Sequence, residues 1–285
     1  MRWRTGRRSS NIEDRRRIRV SRKAAGGGLG IIVIALVAMY FGVDPSVILN
    51  QQSPTSNSVS TYTTSTPISQ AENELADFVS VVLADTEDTW HVLFNKMGKA
   101  YREPNLVLFS GAVESACGYA QAAMGPFYCP ADQKVYIDLS FYRDLKNRYQ
   151  APGDFAQAYV IAHEVGHHVQ ALLGISDKLQ AARRRLNEVE GNKLSVMQEL
   201  QADCFAGIWA HHANRTRQIL EEGDIEEALN AASAIGDDRL QRMSRGYVTP
   251  DSFTHGSSGQ RVRWFKRGLE SGDIQDCNTF RADNL

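Results

Sequence analysis

Apolar residues recur at helical spacing through the middle of the chain. Phe155, Tyr159, Ala162, Val165, Val169 and Leu172 form one stripe, the 3.6-residue period of a half-buried helix. Asp154 stands where an N-cap would, and Gly174 supplies a stop. Leu200, Cys204, Phe205, Ile208 and Trp209 predict a second, mostly buried helix. Glu72 to Tyr101 also patterns as helix, as does most of Phe155 to Ser244. By contrast, Leu106 to Ser110 and Lys134 to Tyr142 are rich in β-branched and aromatic residues, the second alternating, and predict strands. A dominant helical portion beside a small sheet gives an α+β class.

The first seventy residues follow a different pattern. Ala24 to Val43 contains no charged residue, about the length a helix needs to cross a hydrocarbon core of roughly 30 Å. Ten of the chain's 32 Lys and Arg precede it, against Glu13 and Asp14 alone. A basic flank of this kind predicts a cytoplasmic N-terminus, and Tyr40 and Phe41 suit the far interface. No good Ala-x-Ala site follows, so the expectation is an uncleaved signal anchor rather than a removed signal peptide. Gln51 to Ser69 holds eleven Ser or Thr among nineteen residues, with Pro54 and Pro67, a composition too polar to build a core. The expected organisation is a basic cytoplasmic tail over 1–23, one transmembrane helix over 24–43, a Ser/Thr-rich linker over 44–70 and a single domain over 71–285. Beyond the first 23 residues, 22 cations face 31 anions, which argues against a nucleic-acid partner.

Chemistry enters at His163-Glu164-Val165-Gly166-His167. Residues i and i+4 share a helical face, so both imidazoles can point a nitrogen at one tetrahedral zinc ion. Glu164 between them is placed to take a proton from the activated water and pass it to a leaving amine. Gly166 inside a helix costs about 1 kcal/mol relative to Ala, which implies a close neighbour at that turn. His168 is rotated about 100° from His167 and is not expected to reach the metal. A catalytic zinc needs a third protein ligand, and Glu199 on the next buried helix is the candidate. Asp203, four residues on, can accept the second N–H of a ligand histidine and fix its tautomer. His211 and His212 lie too far along that helix to join the centre.

HExxH followed by ExxxD resembles the gluzincin metallopeptidases. The wider match is similar to the bacterial neutral zinc metallopeptidase (YpfJ-like) family, through Gly125 to Pro130, Val135 to Tyr142, the HEVGHH helix, Glu199 to Gly207 and Pro250 to Gly256. This resemblance implies a zincin-like peptidase domain with Zn2+ as cofactor and a peptide or protein as substrate, and it makes Lys134 to Tyr142 the edge strand beside the cleft. Thr254-His255, with Arg261 six residues on, is similar to a pattern in membrane-linked gluzincins whose histidine faces the active site. There His255 could hydrogen-bond the oxyanion of a tetrahedral intermediate, while Arg261 would make a structural ion pair. Gly256 stands where those proteins carry proline.

Cys117, Cys129, Cys204 and Cys277 form an even set, and outside the cytoplasm they predict two disulfides in one of three pairings. Pairing Cys117 with Cys129 would close a short loop and leave Cys204 with Cys277 to tie the C-terminal tail to the Glu199 helix. The expected protein is a single-pass inner-membrane zinc metallopeptidase, its lipid contact made by the N-terminal helix and its domain periplasmic or extracellular. Two other readings are a membrane-tethered binding or scaffold protein with structural zinc, and a zinc amidase acting on cell-wall material.

Overall fold

The computed structural model describes residues 1–18, 68–282 and 285. Its main sheet has the order β1 (Ile12–Asp14), β2 (Asn105–Phe109), β6 (Lys134–Asp138), β5 (Phe127–Cys129), and a hairpin of β3 (Ala112–Ser115) and β4 (Gly118–Gln121) stands apart. β1, β2 and β6 run parallel, with Ile12 opposite Leu106 and Leu106 opposite Val135. β5 is antiparallel to β6 and forms the other edge.

The edge strand is therefore not the one expected. Val135 to Asp138 are all buried, as a strand covered on both faces must be, and the shorter β5 takes the place beside the cleft. Lys134 to Tyr142 is also not one element, because after Asp138 the chain enters the short helix α2 (Ser140–Asn147).

Helices pack on the sheet and on one another. α1 (Gln70–Lys96) opens with a capping box in which Ser69 and Glu72 satisfy each other's end of the helix. α3 (Asp154–Leu172) carries the HEVGH segment and is followed by α4 (Ile175–Arg183). α5 (Glu188–Arg217) carries Glu199 and Asp203 and opens with a second capping box, Asn187 with Glu190. α6 (Asp224–Ala234), α7 (Asp237–Arg245) and α8 (Ser258–Ser271) complete the helical layer. Trp90, Trp209, Phe155, Phe205 and Phe265 fill the space among α1, α3, α5 and α8, each at most 1% exposed. A Cβ on Gly166 would lie 3.0 Å from the Ala202 carbonyl oxygen, so the glycine lets α3 and α5 touch at the turn that bears the histidines. Gly268 does the same for α8, where a Cβ would collide with the Cys204 carbonyl.

Residues 1–18 are not a detached basic tail. β1 pairs with β2, Trp3 packs edge-on against Phe78, and Arg7 and Arg8 reach Glu87, Asp88 and Asp77 on α1. Arg4, Arg7 and Arg8, read as part of a cytoplasmic flank, are thus partners for acids inside the domain. The Met1 amino group meets Asp154 at 2.6 Å and Asp224 at 3.2 Å, so Asp154 takes an ion pair in the first turn of α3 while Gly153 is the N-cap. Because residues 1–18 and 68–282 form one body, this arrangement does not allow a bilayer between the N-terminus and the domain. The expected span over 24–43 lies outside the described residues, as does nearly all of the linker. Among the described residues no helix is long and apolar enough to cross a membrane.

Both disulfides pair as the short-loop option has it, Cys117 with Cys129 and Cys204 with Cys277. Two such bonds suit an oxidising compartment outside the cytoplasm.

Candidate metal centre

Three donors from two helices converge. His163 Nε2 lies 3.1 Å from Glu199 Oε2, and His167 Nε2 lies 3.4 Å from Glu199 Oε1. A tetrahedral zinc with bonds near 2.0–2.1 Å separates its ligand atoms by roughly 3.4 Å, so the spacing fits such an ion. The chemistry of the donors fits as well. His163 Nδ1–H donates to Asp203 Oδ1 at 2.8 Å and His167 Nδ1–H donates to Gln170 Oε1 at 2.9 Å. With both Nδ1 hydrogens committed, two neutral imidazoles and a carboxylate aim lone pairs at one point. Only a cation or protons on the ring nitrogens can resolve that.

Charge is strongly organised around the point. Burial opposes the cationic form of His163, but Asp203, with help from Glu199, pushes its pKa up to about 9. Burial likewise opposes the charged form of Asp203, yet Arg261 and His163 hold its carboxyl at about 2. Glu199 is also held well below the ordinary carboxylate range, where burial is outweighed by His167, His255 and His163. Glu164 behaves oppositely, its pKa raised because burial outweighs the neighbouring imidazoles.

Asp203 is the hub of a buried cage. Arg261 Nε and Nη2 donate to its two oxygens at 2.9 Å each, and the Tyr159 hydroxyl donates to Oδ1 at 2.5 Å. Arg261 thus makes the ion pair expected of it, and Tyr159, one turn before His163, is a partner that the sequence reading overlooked. His168 turns away from the centre and is fully buried. Its Nε2–H donates to the Arg102 carbonyl at 2.6 Å and its Nδ1 accepts from the Tyr128 hydroxyl at 3.1 Å, with burial lowering its pKa to about 4. That bond fastens edge strand β5 to the histidine helix. His211 and His212 instead reach the Leu269 and Gly272 carbonyls at the end of α8.

The centre opens into a cleft of about 920 Å³ lined by β5, α2, α4 and α7, with Glu164 and His255 on its wall. His255 is presented by a loop tied to Asp237, whose Oδ2 accepts the backbone N–H groups of Thr254, His255 and Gly256 at 2.7, 2.7 and 3.1 Å. Gly256 adopts φ 92°, a left-handed conformation in which glycine is unstrained, and this accounts for glycine at that position.

The family profile described as "Putative neutral zinc metallopeptidase" matches residues 1–280. The chain belongs to this family. The chain is similar to the protein YpfJ of Escherichia coli (strain K12), 54% identical over 98% of this chain and 99% of that one. Rv2575 of Mycobacterium tuberculosis (strain ATCC 25618 / H37Rv) is 39% identical over 87% of this chain and 86% of that one. Both relatives are uncharacterised, so membership brings the family and no substrate. No solved structure matches the chain.

Three residues that the sequence reading did not single out shape the centre. Tyr159 and Gln170 stood at i−4 from His163 and i+3 from His167, on the faces those histidines present, and that spacing was the available signal. Asp237 had none, since it works on a loop 17 to 19 residues further along the chain.

Proposed function

We propose that this protein is a zinc-dependent peptidase in which His163, His167 and Glu199 hold the metal. The observation that carries the reading is the convergence of the His163 and His167 Nε2 atoms on the Glu199 carboxylate, at 3.1 and 3.4 Å from its two oxygens. Bound there, zinc would supply Lewis acidity that polarises a carbonyl and yields a water nucleophile at neutral pH.

The chain's own groups do the rest. Glu164, its pKa raised by burial, stands beside the metal donors on the cleft wall, placed to accept a proton and return it to the leaving amine. Asp203 holds His163 in the tautomer that leaves Nε2 free. His255, held by Asp237 at the cleft wall, donates a hydrogen bond to the oxygen on which charge develops. β5 offers an extended peptide the main-chain groups of a sheet edge, so binding draws on backbone hydrogen bonds more than on side-chain choice. The uncharged stretch 24–43 remains the proposed contact with a lipid bilayer.

The test is Glu164→Gln in the full chain, assayed on casein and, in parallel, on peptidoglycan fragments. The variant should keep about one zinc per chain while casein cleavage falls by roughly 10²- to 10⁴-fold. Undiminished cleavage would remove Glu164 from the mechanism, and turnover of peptidoglycan alone would replace the peptidase reading with an amidase.

A further inference from the structure

His167 has an unusual support. Its Nδ1–H donates to Gln170 Oε1 at 2.9 Å, and Gln170 Nε2 donates in turn to the Gln198 carbonyl at 2.7 Å and to Gln201 Oε1 at 3.1 Å. Gln201 Nε2 then donates to the Cys277 carbonyl at 2.9 Å. Gln170 is fully buried and Gln201 is 5% exposed, so solvent offers little alternative to these partners.

The direction of the chain follows from its ends. A backbone carbonyl can only accept, so Gln201 must turn its NH2 toward Cys277 and its oxygen toward Gln170. The Gln198 carbonyl imposes the same orientation on Gln170. Gln170 Oε1 is left facing His167 and can only accept, which places the imidazole hydrogen on Nδ1 and the lone pair on Nε2. The far anchor is itself fixed, because Cys277 is disulfide-bonded to Cys204 on the helix that carries Glu199.

We infer that Gln170 and Gln201 form a one-way amide relay through which the disulfide-tethered C-terminal turn sets the tautomer and orientation of His167, making the Cys204–Cys277 bond a determinant of metal affinity. Both glutamines are positioning residues, since neither touches the metal point. The inference rests on the zinc reading for the identity of the ion, and its experiment separates the two.

Zinc dissociation constants would be measured on the full chain by competition with a chromophoric chelator, alongside cobalt absorption spectra and melting of the metal-free proteins. Gln170→Ala should weaken zinc by roughly 10- to 100-fold, with a changed cobalt spectrum, beyond any shift in melting. Gln201→Leu, which leaves the disulfide intact, should weaken zinc by a smaller factor. Replacing Cys204 and Cys277 together by Ser, which leaves the Cys117–Cys129 bond closed, should weaken zinc relative to the wild type and have little further effect in Gln201→Leu, since both changes cut one path. Equal zinc affinity in wild type and Gln170→Ala overturns the relay alone. Full additivity of the double Ser variant with Gln201→Leu overturns the part assigned to the disulfide. A wild type that binds no zinc overturns the functional reading and the relay with it.

Discussion

His163 and His167 stand one turn apart on the same helix, yet their outward nitrogens meet opposite kinds of partner. His163 leans on Asp203, a carboxylate already paired with Arg261 and Tyr159, all deeply buried. His167 leans on Gln170 and a string of neutral amides. A buried ion pair is costly to assemble and costlier to break, because removing one member strands a charge in a low dielectric. Neutral amides lose only hydrogen bonds when cut, about 1–3 kcal/mol for each group left unsatisfied. One side of the centre therefore couples metal binding to charge and pH, and the other couples it to the shape of the C-terminal turn.

The most severe way to break this contrast is Arg261→Met, which leaves Asp203 buried without its cation. Unfolding free energy of the metal-free protein should fall by about 3–5 kcal/mol, measured by urea titration, and a loss under about 1 kcal/mol would deny the cage its importance. Acid probes the same arm more gently. Asp203 is held at about 2, below its ordinary value, so its contribution is complete above roughly pH 5 and is lost as pH falls through about 2, about 2–3 kcal/mol in all. In Arg261→Met burial should dominate and that acid-dependent loss should vanish. The smallest effect belongs to the neutral arm: Gln201→Leu should cost about 1–2 kcal/mol, and the difference from wild type should stay flat as pH falls from 4 to 2, since the relay does not touch Asp203. A slope in that difference would show that the relay is not electrically neutral.

The legible part of the centre is the part written on single helices. His163 with His167, and Glu199 with Asp203, are i, i+4 pairs, and a buried stripe on each helix fixes which way they face. What joins the two helices was only hinted at, by Gly166, whose missing side chain admits Ala202. β5 escaped because three residues ending in a cysteine carry no periodicity, and β6 was set at the edge by the family resemblance alone, since a short apolar run does not say whether one neighbour or two will flank it. Residues 1–18 were misread for a different reason. Their arginines find acids on α1 far along the chain, and composition records the charges without recording their partners.

The pairing of β1 with β2 also bears on how the chain comes to be finished. Ile12 leaves the ribosome early and has no sheet to join until Leu106 follows it. Parallel pairing over so long a separation is slow to close, and until it closes the outer margin of β2 carries unmatched amide and carbonyl groups. A fragment beginning at residue 71, cut where the domain was expected to start, would keep that margin bare permanently, and bare margins of this kind recruit strands from other molecules. The first eighteen residues thus act as a built-in stopper on the sheet, and sparing them matters as much for keeping the protein monodisperse as for keeping it stable.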